Sequence, residues 1–323
     1  MKHLFFLILI CSLAIMTHAQ PLDLTTSNPL HQALKNNPQF FKRITSNPDS
    51  FRVQIIYTQI DRNKRNKPSF KEYSYRLNNE EYFYPASTVK MPIALLALEK
   101  INELGIKGLT RNSIMITDSA STAQDHVYNQ PNANDGAPTI ENYIKQIFLV
   151  SDNDAFNRLY EFLGQEYIQR KLREKGYPDV IIRHRLQLSR TVEQQAITNP
   201  VKFYDTAGNL IYEQPAQKSN AIYEATNVSL GKGFMKGGKL INEPFSFLNK
   251  NRIYLQDLHH ILQSVIFPEK FPKKNRFNLT DDDYAFVKKY MHIYPRESES
   301  PIYDPEHYWD TYCKFLLQGS EKK

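Results

Sequence analysis

Apolar residues recur along the chain in blocks whose spacing separates helices from strands. Residues 91–98 are apolar without a break and open a predicted buried helix over 91–104. Residues 139–150 and 154–163 give two more buried helices, the second closed by Gly164 as a C-cap. A charged amphipathic helix over 166–176 is broken by Tyr177-Pro178. Leu255, Leu258, Ile261, Leu262 and Val265 keep helical spacing within 254–267, and Thr280 precedes a helix over 281–291. A last helix is expected over 306–317. Near the start, Asn28-Pro29 opens a helix whose apolar side includes Leu30, Ala33, Leu34, Phe40 and Phe41. Residues 51–60 and 70–77 are β-rich and partly alternating, and form an expected hairpin across the charged loop 61–68. Tyr82-Phe83-Tyr84 reads as a short strand, and 114–117 and 180–188 as extended pieces. Residues 201–212 read as a hairpin turning at Asp205-Thr206-Ala207-Gly208. Residues 118–138 read as a surface excursion, 190–199 as a loop or short helix, and 214–244, rich in Gly, Lys and Asn, as a long surface loop.

The first residues follow a different pattern. Lys2 precedes an apolar run over 4–15, and Thr17-His18-Ala19 supplies a small residue for cleavage. Residues 1–19 are therefore an expected secretory signal peptide, since the run is too short to span a bilayer comfortably. Cys11 follows the bulky Ile10, which argues against lipid attachment. The expected product, 20–323, is secreted or periplasmic with no stable membrane anchor. It keeps one cysteine, Cys313, so no internal disulfide forms and stability rests on an apolar core. The formal net charge is +7, but the basic residues are scattered, with small clusters at 62–67 and 270–276 that read as solvated loops. That distribution and export both argue against nucleic-acid binding. A basic surface suits residence near anionic envelope polymers. There is no H-E-x-x-H, and the adjacent His259 and His260 point to different sides of a helix, so no metal or other cofactor is expected.

Candidate chemistry begins at Ser87-Thr88-Val89-Lys90, just ahead of the long apolar helix. Ser and Lys three apart share one face. A buried Lys has a lowered pKa, and its neutral amine takes a proton from the Ser hydroxyl. Free N–H groups at the helix start suit an oxyanion formed there. Alone, the motif also fits a Ser N-cap followed by a solvated Lys. A second motif, Ser151-Asp152-Asn153, sits at the corner between two buried helices, where Ser151 and Asp152 also fit the role of helix caps.

The two motifs, in this order and beside these helices, resemble the penicillin-recognising serine hydrolases, and among them the class A β-lactamases. Residues 142–164 are similar throughout to that family's helix–SDN–helix segment, and the likeness covers most of 51–317. The resemblance implies an α+β fold: an antiparallel sheet with flanking helices over about 28–110, and an all-α part over about 111–317, with the active site between them. It implies that Ser87 is the acylated nucleophile, that Lys90 activates it, and that Ser151 relays a proton to the leaving nitrogen. Asn153 then holds the substrate amide and positions Lys90, while Asp152 is structural. The implied reaction is hydrolysis of a β-lactam through an acyl-enzyme. A D-Ala-D-Ala peptidase or transpeptidase acting on a peptidoglycan-derived acyl amide, or a non-catalytic envelope homologue, are the alternatives.

Two departures stand out. Where the family carries a deacylating Glu, this chain has Arg185-Leu186-Gln187, and Gln cannot act as a general base. Glu193 is the nearest substitute, and it also reads as an ordinary solvated residue. No K-T-G string follows the later helices. Lys236-Gly237-Gly238 lies too early and in a polar loop, so the family's C-terminal sheet strands are expected to be missing.

Overall fold

The computed structural model describes residues 28–120, 125–224 and 226–313. The expected signal peptide lies outside these residues, as does the end of the expected helix 306–317. The chain divides into two units, one ending at Glu80 and one starting at Glu81.

In the first unit, α1 (Pro29–Asn36) starts where Asn28 accepts hydrogen bonds from the N–H groups of Leu30 and His31. The single helix expected here is broken. Pro38 disfavours helical geometry at Asn37, so α1 stops and α2 (Pro38–Thr45) starts afresh. A short helix, α3 (Pro48–Phe51), takes Phe51 out of the expected strand, and Arg52 turns the chain with φ 51°. β1 (Ile55–Arg62) and β2 (Pro68–Tyr75) then form the expected antiparallel hairpin, with Ile55 opposite Tyr75 and Arg62 opposite Pro68.

The second unit is mixed α+β and is built around α4 (Lys90–Leu104), which packs against α5 (Ile140–Val150) and α6 (Asn153–Leu163). Every residue of α4 from Pro92 to Ile101 is buried, which explains the unbroken apolar run from Met91 to Leu98; the buried Lys100 is bonded to the Phe162 carbonyl and Gln214. α7 (Gln165–Glu174) is tied to α4 by charge: Lys171 and Lys175 each place their ammonium 2.8 Å from the buried Glu99. β3 (Ile114–Thr117) precedes α5 in the chain. After α7 come α8 (Val192–Ala196), β4 (Ile197–Thr198), β5 (Val201–Tyr204) and β6 (Leu210–Gln214). The order β3–β5–β6 makes a three-stranded antiparallel sheet. The expected long loop over 214–244 is instead stitched by short strands: β7 (Gln217–Lys218), β8 (Ser229–Leu230), β9 (Phe234–Lys236) and β10 (Lys239–Ile241), followed by β11 (Phe245–Ser246). They pair as β4–β7, β8–β11 and β9–β10. Residues 111–317, expected as an all-α part, thus also carry strands. Two helices complete the unit, α9 (Leu255–Ile266) and α10 (Asp281–His292), the latter capped by Thr280.

Two local expectations fail. Tyr82-Phe83-Tyr84 is not a strand; Tyr82 is buried and its hydroxyl donates to the Asn251 carbonyl at 2.7 Å. Residues 306–313 are turns rather than helix. Here Asp304 closes a single turn: its carboxylate accepts from the Glu306 N–H and its carbonyl from the N–H groups of His307 and Tyr308. No described helix is long and apolar enough to cross a membrane.

Candidate active site

The geometry of the site follows from how α4 and α6 begin and how α5 ends. Ser87 is not on α4 itself but on a 3₁₀ turn, Ala86–Val89, that leads into it. Residues three apart eclipse one another in a 3₁₀ turn, which brings Lys90 beneath Ser87. The Lys90 ammonium donates to the Ser87 hydroxyl at 3.0 Å. Ser87 is exposed while Lys90 is 2 % exposed, so the hydroxyl faces outward and the amine that serves it is kept dry. The Ser87 N–H has no acceptor among the described residues and is free to donate to an incoming oxyanion.

At the end of α5, Ser151 takes a left-handed conformation, φ 57° and ψ 44°, and caps the helix; the N–H of Asp152 returns to the Gln146 carbonyl. This turn aims two oxygens of Ser151 at Lys90: the carbonyl at 2.6 Å and the hydroxyl at 2.8 Å. All three hydrogens of a Lys90 ammonium are thereby used. Burial nevertheless pushes the Lys90 pKa down to about 8, with Asp152 and Cys313 acting in the opposite direction. Asp152 itself caps α6, accepting from the Ala155 N–H at 2.8 Å.

One face of α6 then carries the loop that follows α7. Asn153, Asn157 and Glu161 lie one turn apart, and each holds one loop residue. Asn153 donates to Gln187 Oε1 at 2.8 Å. Asn157 donates to the Leu186 carbonyl at 3.1 Å and accepts from the Leu186 N–H at 2.9 Å. Glu161 accepts from Arg185 Nε at 2.7 Å, with both side chains buried. Arg185 also reaches Gln195 Oε1 at 3.2 Å and the Ile197 carbonyl at 2.7 Å. Gln187 is delivered to Asn153 in a left-handed conformation, φ 58°. Among the described residues of this unit, the only non-glycine residues with positive φ are Ala86, Ser151 and Gln187, all at this site. Such conformations cost of order 1–3 kcal/mol each and cluster where function requires them.

A family model decides what this arrangement belongs to. The model of the β-lactamase enzyme family matches residues 40–223, more than half of the chain. The chain belongs to the β-lactamase enzyme family. No curated protein matches it. Membership in the β-lactamase family supports a serine-hydrolase type of function, of the β-lactamase or penicillin-binding kind.

The structure thus brings together Ser87, Lys90, Ser151, Asp152 and Asn153. Glu193 is not among them. It sits exposed in the first turn of α8, where its own backbone N–H and the Thr191 hydroxyl hold its carboxyl below the usual range. No hydrogen bond or ion pair links it to Ser87, Lys90 or Ser151 among the described residues. Lys236-Gly237-Gly238 forms the tight turn between β9 and β10, with φ 56° and 77° at the two glycines. Sequence reasoning missed Asn157, Glu161 and Gln195. A signal for two of them was present: Asn153, Asn157 and Glu161 form a polar row at four-residue spacing along α6.

Proposed function

We propose that this β-lactamase-family chain is an exported serine hydrolase that forms an acyl-enzyme at Ser87, with β-lactams, as in class A, the favoured substrates. The observation that carries the reading is the placement of Lys90 Nζ within hydrogen-bond reach of both the Ser87 and the Ser151 hydroxyls. In its neutral form Lys90 donates two N–H bonds and accepts the Ser87 proton on its lone pair. Ser87 Oγ attacks the amide carbonyl, and the Ser87 N–H receives the developing oxyanion. The proton passes from Lys90 through the Ser151 hydroxyl to the leaving nitrogen as the C–N bond breaks. Asn153 donates to Gln187 and keeps its own carbonyl oxygen for an N–H of the substrate side chain.

A second reading keeps the acylation and changes its outcome. Gln187 occupies the loop position beside Asn153, and a carboxamide takes no proton from water. Glu193 is exposed and its carboxyl is a weaker base than usual. An acyl-Ser87 would then persist, as in penicillin-binding peptidases and transpeptidases acting on peptidoglycan-derived acyl amides. A chromogenic cephalosporin separates the two. Steady turnover favours hydrolysis. A burst equal to the enzyme concentration, followed by little further colour, favours the penicillin-binding reading. Absence of both in folded protein rejects acylation altogether.

A further inference from the structure

The hairpin of β9 and β10 presents apolar and cationic side chains together, away from the cluster of Ser87, Lys90 and Ser151 in sequence and with no residue in common. Met235 stands directly opposite Leu240 in its register, so the two side chains share one face. They are 65 % and 60 % exposed, and neither packs on the core. Phe234 and Ile241, opposite one another on the other face, are half-buried. Phe234 meets Phe245 edge-on at 5.1 Å, and Phe245 meets Phe247 at 4.9 Å. Phe247 in turn packs against Tyr82 at 5.1 Å and Tyr84 at 5.4 Å. This column of rings fixes the inner face of the hairpin to its unit, and the face with Met235 and Leu240 is turned outward.

Charge gathers at the same place. Lys236 stands opposite Lys239 beside the Gly237-Gly238 turn, Lys232 precedes β9, and all three are exposed. Like charges directly opposite in a hairpin repel. No carboxylate occurs between Glu224 and Glu243, and none pairs with these lysines among the described residues. Alternation starts Lys236 and Lys239 on the Phe234 face. They lie beyond that ring, however, at the free tip of a two-stranded ribbon, where long stems carry their ammonium groups to either side.

The two features together select the occupant. A second copy of the hairpin would match the apolar pair but bring like charges together. A soluble polyanion would match the lysines but leave Met235 and Leu240 in water. A bilayer surface with anionic headgroups satisfies both, because apolar side chains enter the boundary between headgroups and acyl chains while lysines stay among the phosphates. We propose that the β9–β10 hairpin docks the protein reversibly onto an anionic phospholipid bilayer. The contact lies on the membrane and does not span it, and it needs both signals, since an apolar anchor of this size or a basic patch alone gives only marginal binding. Nothing in it depends on acylation at Ser87.

The test is co-sedimentation of the full protein with vesicles of phosphatidylcholine, alone or with about one third phosphatidylglycerol, at about 1 mM lipid. Binding to the anionic vesicles is expected to be at least tenfold tighter than to the neutral ones. It should be lost near ~1 M salt, where the Debye length falls to about 3 Å. A lysine at an anionic surface is worth about fivefold, so Lys236→Gln with Lys239→Gln should weaken binding at least tenfold. Met235→Ser with Leu240→Ser should weaken it by a similar factor. Met235→Trp should add emission that moves to shorter wavelength on the anionic vesicles only. These positions are exposed and penicillin labelling of Ser87 does not depend on them, so the two readings fail separately. Full vesicle binding by the Met235→Ser, Leu240→Ser protein identifies a hydrophilic polyanion as the occupant and overturns the proposal. Equal sedimentation of the wild-type protein with both vesicles, or with neither, overturns it without recourse to any variant.

Discussion

Glu161→Gln separates a loop held by a buried charge from one held by shape alone. Arg185 is 2 % exposed and Glu161 4 %. Glu161 accepts from Arg185 Nε at 2.7 Å through one oxygen and from the Asn199 N–H at 2.6 Å through the other. A carboxamide of the same shape turns one of those acceptors into a donor that faces a donor. It also leaves the Arg185 charge buried with only neutral partners, Gln195 and the Ile197 carbonyl. Removing one member of a buried pair costs about 3–5 kcal/mol. That is a large share of a typical folding free energy of about 5–15 kcal/mol. Urea unfolding followed by far-UV circular dichroism should show the loss. Adding Arg185→Met to the same chain should recover about 1–2 kcal/mol relative to the sum of the single variants, because the orphaned charge is gone. Penicillin labelling should also slow in Glu161→Gln, since Arg185 anchors the loop that presents Gln187. A loss below about 1 kcal/mol would refute the reasoning, by showing that the neutral partners suffice.

Other outcomes follow from the same geometry. With its pKa near 8 instead of 10.5, roughly a tenth of Lys90 is neutral at pH 7, against roughly one part in three thousand unperturbed. The neutral form is the active one, so the acylation rate should rise about tenfold per pH unit below 7 and level off above 8; a flat profile by stopped-flow penicillin labelling contradicts Lys90 as base. Asp152 raises the Lys90 pKa, so Asp152→Asn should move that midpoint to lower pH, whereas an unmoved midpoint removes Asp152 from the electrostatics. Asp152→Ala should in addition lower stability by about 1 kcal/mol in denaturant unfolding, through loss of the α6 cap. Gln187→Glu should convert a cephalosporin burst into turnover with deacylation about 10²-fold faster, and no gain would place the missing base elsewhere.

The buried helices were legible because their apolar residues repeat at helical spacing, and α4 because its stretch from Met91 to Leu98 is apolar without a break. Ser87, Lys90 and the 151–153 turn were legible because a local motif fixes a local geometry. Elements set by distant contacts were not. Two- and three-residue strands between 217 and 246 have too few positions to show alternation, and their turns rather than their side chains define them. Tyr82 looked like a strand residue but is placed by a hydrogen bond to Asn251, far along the chain. Tyr308, Trp309 and Tyr312 fit helical spacing equally well as a cluster of edge-packed rings, which is what they form. Glu161 and Asn157 read as helix residues, and only the folded chain shows that they hold Arg185 and Leu186.

The central claim is that Ser87 becomes acylated. Intact-protein mass spectrometry after brief exposure to benzylpenicillin tests it most directly. One added penicilloyl group, mapped to the peptide containing Ser87 and absent in folded Ser87→Ala, is the expected result. An unmodified mass, or equal labelling of the Ser87→Ala protein, contradicts it.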